Sequence, residues 1–194
     1  MLTEDKENLL VSMFCQLDDF CLALESWKAA RTDQFPVPTR RPRLSDSELL
    51  TLYTFYQYSG YKCFQYYYQN MVLTTLKSYF PAVPSYARFV RLIPYLTPGL
   101  FLFLKYQTGK SRRTGVYFID SKKLPVCDNR RIHANKVFQG VARRGKSSTG
   151  WFYGFKVHLV INNQGEIMNF KLTSGNVADN NHSVLHELLD DLKG

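Results

Sequence analysis

The stretch from Trp151 to Thr173, WFYGFKVHLVINNQGEIMNFKLT, constrains the fold more than any other part of the chain. Phe155, Val157, Leu159 and Ile161 recur at every second position, which sets them on one face of an extended strand. Asn162-Asn163-Gln164-Gly165 then supplies turn residues, and a second apolar run begins at Glu166. The segment predicts a hairpin with strands over 152–161 and 166–173. A lone hairpin is marginal in water and needs further elements to bury its apolar face. One lies upstream, in the β-rich run TGVYFIDS from Thr114. Another follows Gly175-Asn176, where NNHSVLHELLDDL puts Val184, Leu185, Leu188, Leu189 and Leu192 on one side of a helix. Three strands and one helix leave a sheet edge unpaired and a surface uncovered, so the chain is expected to stop inside a domain.

Upstream of Thr114 the periodicity is helical. Residues 5–30 carry an apolar stripe of Leu9, Leu10, Met13, Phe14, Leu17, Phe20, Cys21 and Leu24. A loop from Thr32 to Arg43 follows, with three prolines and Arg40, Arg41 and Arg43, and reads as a tether or a phosphate contact. Ser45 and Glu48 have the spacing of a capping box, and the helix they start should stop near Ser59-Gly60. A second aromatic helix is expected from Tyr61 to Tyr79. Pro84-Ser85 then starts a short third helix, Tyr86 to Ile93, bearing Arg88 and Arg91. Three short helices with basic residues on the last have the outline of a helix-turn-helix, an outline that many helical bundles share. The expected organisation is α+β: a helical, DNA-binding region over 1–110, then a sheet domain over 111–194.

Charge narrows the partners. Residues 36–165 hold 20 Lys/Arg against 4 Asp/Glu, whereas both flanking regions are acidic. A basic excess concentrated in the middle fits a surface facing phosphates. Between Lys105 and Lys146 lie twelve basic residues, among them Lys122, Lys123, Arg130, Arg131, Arg143, Arg144 and Lys146, opposed only by Asp120 and Asp128. The segment ARRGKSSTG reads as a flexible, donor-rich loop leading into Trp151-Phe152, able to follow a backbone and stack on an unpaired base. Its GKS is no P-loop, because a strand follows where that motif needs a helix. The four cysteines lack zinc-site spacing, and the acidic N-terminus lacks a signal-peptide pattern. The apolar run from Leu92 to Gln107 contains two prolines and reads as too short for a membrane span. A cytoplasmic protein with no membrane partner is expected.

Two acids carry the chemistry. Asp120 closes the apolar run VYFID and is expected at the C-terminal end of its strand, where a carboxylate serves either as a cap or as a ligand for a divalent cation beside Lys122 and Lys123. Asp179, in TSGNVAD, either caps the following helix or faces Asp120 in an outer-shell role. His182 and His186 have helical spacing, but HSVLHE is not a zinc-protease motif. His158 reads as a packed or hydrogen-bonded residue of the sheet.

The motif YFIDSKKLPVC, from Tyr117 to Cys127, resembles that of the DDE-type insertion-sequence transposases, whose catalytic domain is ribonuclease H-like. KVFQGVARRGKSSTGWFYGFKVHLVIN from Lys136, NFKLTSGNVAD from Asn169, CQLDDFC and LSDSELL extend the likeness over nearly the entire chain. The resemblance implies a helical N-terminal region followed by the first part of a ribonuclease H-like mixed sheet. It further implies an enzyme that binds Mg²⁺ or Mn²⁺ through two Asp and one Glu, cleaves element ends and transfers 3′-hydroxyls into target DNA. Asp120 corresponds to the first carboxylate. The second is expected after the last helix in a DKGY-like motif, so Asp179, which precedes that helix, is not its counterpart. The chain would then be truncated before the second Asp and inactive by itself. Double-stranded DNA, as terminal inverted repeats and target, is the implied partner, and a homodimer is the implied working form.

Overall fold

The computed structural model describes residues 2–31, 43–190 and 192. The proline- and arginine-bearing loop after Thr32 lies outside them except for Arg43. The chain divides into two compact units, Met1–Leu104 and Lys105–Gly194.

In the first unit, α1 (Glu4–Ala29) buries Leu10, Leu17 and Phe20, as its stripe requires. Helix α2 (Asp46–Ser59) starts at the expected capping box: Ser45 Oγ accepts from the Glu48 amide at 3.1 Å, and Glu48 Oε2 accepts from the Ser45 amide at 2.7 Å. Such a cap contributes about 1 kcal/mol. The helix ends at Gly60, whose φ of 88° is the left-handed conformation that only glycine adopts cheaply.

The aromatic segment is helical in pieces: α3 (Phe64–Tyr67), a π-turn over Tyr68–Val72 and a 3-10 turn over Leu76–Ser78. The Phe64 ring lies 5.2 Å from Tyr56 and 5.7 Å from Phe89, in the range of favourable aromatic pairs. Tyr67 and Tyr68 are fully buried, and each hydroxyl has its partner, the Leu52 carbonyl at 2.8 Å and the Pro84 carbonyl at 2.7 Å. Burial pushes the Tyr68 phenol up to about 12. In this unit, then, these aromatics are packing residues.

Helix α4 corrects the expected short third helix, because it runs from Tyr86 to Lys110 through Pro94 and Pro98. Each proline removes a helix hydrogen bond and frees the carbonyl four residues back, at Val90 and Pro94. Val90, Pro94 and Pro98 all lie on an exposed strip, where the freed carbonyls are open to solvent, and the helix survives. By length and composition this helix suffices to cross a membrane, whereas the apolar run from Leu92 to Gln107 taken alone is too short.

The second unit is built on a four-stranded sheet. Strand β1 (Tyr117–Cys127) pairs with one edge of β3 (Gly150–Asn162). The other edge of β3 is shared: β2 (Arg143–Ser147) pairs with Gly150–Gly154, and β4 (Ile167–Ser174) with Phe155–Ile161. Strand β2 stands where ARRGKSSTG predicts a flexible loop. Its RRGKS sequence has little strand propensity, but β4 leaves the first residues of β3 without partners on that edge, and backbone pairing decides the conformation. Gly145 and Gly154 permit the close approach: a Cβ on Gly145 would stand 1.9 Å from the Gly175 carbonyl oxygen, and one on Gly154 2.1 Å from that of Leu124.

The hairpin turn falls where expected. Asn162 Oδ1 accepts from the amides of Gln164 and Glu166 at 3.0 and 2.9 Å. Glu166 is more than a surface residue, since its carboxylate accepts from the Arg112 amide at 3.0 Å and from Asn162 Nδ2 at 2.7 Å, and it is held below the ordinary carboxylate range chiefly by the first bond. Helix α5 (His182–Asp190) sets Val184 and Leu188 against Val160 and Met168 to form the core of this unit. The whole is an α+β chain: a helical region followed by a partial ribonuclease H-like sheet.

Candidate carboxylate site and nucleic-acid interface

Alternation along β1 and β3 divides the sheet into two faces. Cross-strand neighbours share a face, so Asp120 stands with Leu159 and Phe170, and Lys122 with Val157 and Leu172. Ser121 and His158 belong to the opposite face, the one α5 covers. Asp120 is not at a strand end as expected, because β1 continues seven residues beyond it, to Cys127, along the length of β3. Pro125 is tolerated there because β1 is an edge strand and its register slips between Pro125 and Cys127. Asp120 is exposed, and its Oδ1 accepts from the Ser121 amide at 2.8 Å. Around it lie Phe118 and Leu172, both more than half exposed on the same open face.

Asp179 neither caps α5 nor shares a face with Asp120. Asn181 is the cap, accepting from the Val184 amide at 3.2 Å. The Asp179 carboxylate instead accepts from Ser121 Oγ at 2.5 Å and from Lys156 Nζ at 2.9 Å, and Lys156 also donates to the Val177 carbonyl at 2.9 Å. The Ser121 hydroxyl, then Lys156, hold the Asp179 carboxyl below its ordinary range. Lys156 is only 5% exposed and His158 1%. His158 Nε2 pairs with Thr173 Oγ1 at 2.9 Å, and burial lowers its pKa. The sequence offered one unused signal for this network: Lys156, His158 and Asn162 alternate with the apolar residues of β3, on the side toward which the next helix must fold.

A divalent cation needs several oxygen ligands held together. Among the described residues, no three His, Cys, Asp or Glu side chains gather to hold one. Asp120 has the right donor atoms, but Asp179 is engaged on the other face, so the described residues do not by themselves fit Mg²⁺ or Mn²⁺.

The basic residues are differently disposed. Arg88 and Arg91 are exposed in the first turns of α4. Arg130 and Arg131 are exposed on a 3-10 turn over Asn129–Ala134, where Asp128 caps the turn and pairs with Arg130 at 3.5 Å. Arg143, Arg144 and Lys146 are exposed on β2, with Arg144 opposite Tyr153 and Lys146 opposite Trp151. Lys123, on the covered face, reaches Thr149 in the β2–β3 turn. Arg144, Lys146 and Lys122 therefore share the open face with Asp120.

The described residues thus form a helical region ahead of a partial ribonuclease H-like sheet with an acid on its first strand. Residues 110–194 match the family model of the transposase DDE domain. Comparison with curated proteins and with solved structures gave no significant match.

Proposed function

We propose that the chain is the DNA-binding front of an insertion-sequence transposase, contributing Asp120 as one catalytic carboxylate and holding DNA against the open face of its sheet. The observation that carries this reading is the transposase-domain match over residues 110–194 together with the position of Asp120 on the same face as Lys122, Arg144 and Lys146. In that reading the complete enzyme hydrolyses a phosphodiester at each element end and directs the freed 3′-hydroxyl into target DNA. The metal, Mg²⁺ or Mn²⁺, would supply charge stabilisation at the phosphate once further carboxylates joined Asp120. With the described residues supplying only Asp120, the chain by itself binds DNA and is inert in strand transfer. It acts in the cytoplasm and as a dimer spanning two element ends. Asp179 supports the site from behind through Ser121.

The test is equilibrium binding to duplex DNA at several salt concentrations. Binding to phosphates releases counterions, so affinity should fall steeply with salt, and replacing Arg143 and Arg144 with alanine should lower the slope by about one for each phosphate that is no longer neutralised. Asp120→Asn should leave binding intact. A preference for one inverted repeat over unrelated duplex is the transposase-specific outcome, and equal affinity for all duplexes would reduce the chain to a general basic module. If the arginine replacements leave the slope unchanged, β2 does not bind phosphate.

A further inference from the structure

The β2–β3 hairpin presents an aromatic ring in a way that phosphate binding does not explain. Trp151 lies directly opposite Lys146, and its side chain is 60% exposed although its backbone is tightly held. Its carbonyl accepts from Asn129 Nδ2 at 2.8 Å. The turn beside it is braced by Ser147 Oγ, 3.1 Å from Thr149 Oγ1 and 3.2 Å from the Gly150 carbonyl, and by the Lys123 bond to Thr149. An indole fixed on a braced strand and left open to water has already lost the backbone freedom that a binding partner would otherwise have to remove. Lys146 Nζ stands 5.9 Å from the ring centre, at the outer limit of a cation–π interaction, so it does not cover the ring.

The chemistry around the ring is cationic: Lys146 opposite, Arg144 two residues along β2, and Lys122 on the same face of β1. Planar ring plus flanking cations is the arrangement that holds a single strand, with the cations on the backbone and the ring against a base. A paired base in duplex DNA keeps its faces inside the stack and offers this ring nothing comparable. Trp151 and the position of Asp120, opposite Leu159, are eight residues apart along β3, or about 26 Å. Between them Phe138 packs on this face, its ring 5.6 Å from that of Phe155 and its carbonyl accepting from the Tyr153 hydroxyl at 3.4 Å, so a strand that meets both passes beside Phe138.

We propose that Trp151 is a stacking platform for an unpaired nucleotide, so that the DNA held on this face includes a single-stranded stretch away from the phosphate near Asp120. The proposal rests on the DNA-binding reading above. The chain has two tryptophans, so the full chain carrying Trp27→Phe leaves Trp151 as its sole indole. Its emission should be quenched on titration with a mixed-sequence single-stranded oligonucleotide, and much less with the blunt duplex of that sequence. In the otherwise unaltered full chain, Trp151→Ala should weaken single-strand binding about tenfold, the scale of one base–aromatic stack, while changing duplex binding by less than about twofold. Trp151→Phe, which keeps an aromatic ring at little risk to the fold, should retain most of the affinity. Equal losses on both DNAs, or unchanged emission at saturation with single strand, would overturn the stacking role while leaving DNA binding standing. Binding of neither DNA would overturn this proposal and the DNA-binding reading together.

Discussion

The two faces of the sheet invert the usual relation between polarity and burial. Beside the core residue Val160, the face under α5 carries Lys156, His158, Asn162 and Asn169, all buried, whereas the other buries Tyr153 but leaves Phe155, Val157, Leu159, Phe170 and Leu172 at least partly exposed. On the covered side each of these polar groups has a partner. Asn169 Nδ2 donates to the Leu188 carbonyl at 3.1 Å and accepts at Oδ1 from Lys105 at 3.2 Å, while Lys156 is neutralised by Asp179. Burial is tolerable there because desolvation is offset bond by bond. On the open side apolar surface remains exposed to water, with Asp120 and Lys122 among it. An open apolar face flanked by charge is the mark of a surface that something else covers. The covered face holds the packed core of the fold, while the open face is the one on which DNA binding is proposed.

Four substitutions or titrations probe that contrast. The largest effect is expected in the core under α5: Leu188→Ala should cost about 2–5 kcal/mol, read by urea denaturation, whereas Leu172→Ala on the open face should stay within roughly 0.5 kcal/mol. Comparable losses at both sites would mean that the two faces are equally packed. Next is Gly145→Ala, whose added methyl meets the Gly175 carbonyl; a cost of about 1–3 kcal/mol is expected, and a neutral result would show that β2 does not pack against the 174–176 turn as described.

Third is Asp179→Asn, which leaves the ammonium of Lys156 buried without its counter-charge. Because the carboxylate is itself well exposed, about 1–2 kcal/mol is expected at neutral pH, and Asp120→Asn should cost little. The folded-state pKa of Asp179 is lowered, so its contribution is present above the ordinary carboxylate value and is lost as pH falls through the lowered one. The gap between wild type and Asp179→Asn should therefore close in acid. A gap that persisted below the carboxylate range would show that charge is not the cause.

The smallest effect concerns His158, which burial keeps neutral. Its pKa is lowered on folding, so stability is complete above the unfolded imidazole value of about 6.5 and declines as pH drops below it. Histidine NMR titration would check this directly, and a His158 titrating at or above the free value would contradict the buried assignment.

Local rules made much of this legible. The Ser45–Glu48 capping box, the Gly60 stop, the Asn162–Gly165 turn and the α5 stripe each follow from residues within a few positions of one another. The failures are long-range. Strand β2 exists because β4 covers only part of one edge of β3, a fact that no window of residues around Arg143 contains. Asp120 reads as strand-terminal because SKKLPVC lacks a strand signature, yet β3 is long enough to pair with it. Helix α4 continues through two prolines because they fall on its wet side. The alternation of β3 is plain in its residues, but polar side chains lie beneath α5, since partners rather than polarity decide which face can be covered. Asp120 itself was legible as a candidate, and its separation from Asp179 was not, because only the strand pairing reveals it.

The central claim is that DNA lies on the open face of the sheet. Hydroxyl-radical footprinting of the full chain, with and without duplex DNA ending in a single-stranded overhang, tests it most directly. Protection should appear at Trp151, Phe118 and Leu172, with Val184 and Leu188 unchanged. Protection confined to α5 and the loop before it, or an open face as reactive with DNA as without, would contradict the claim.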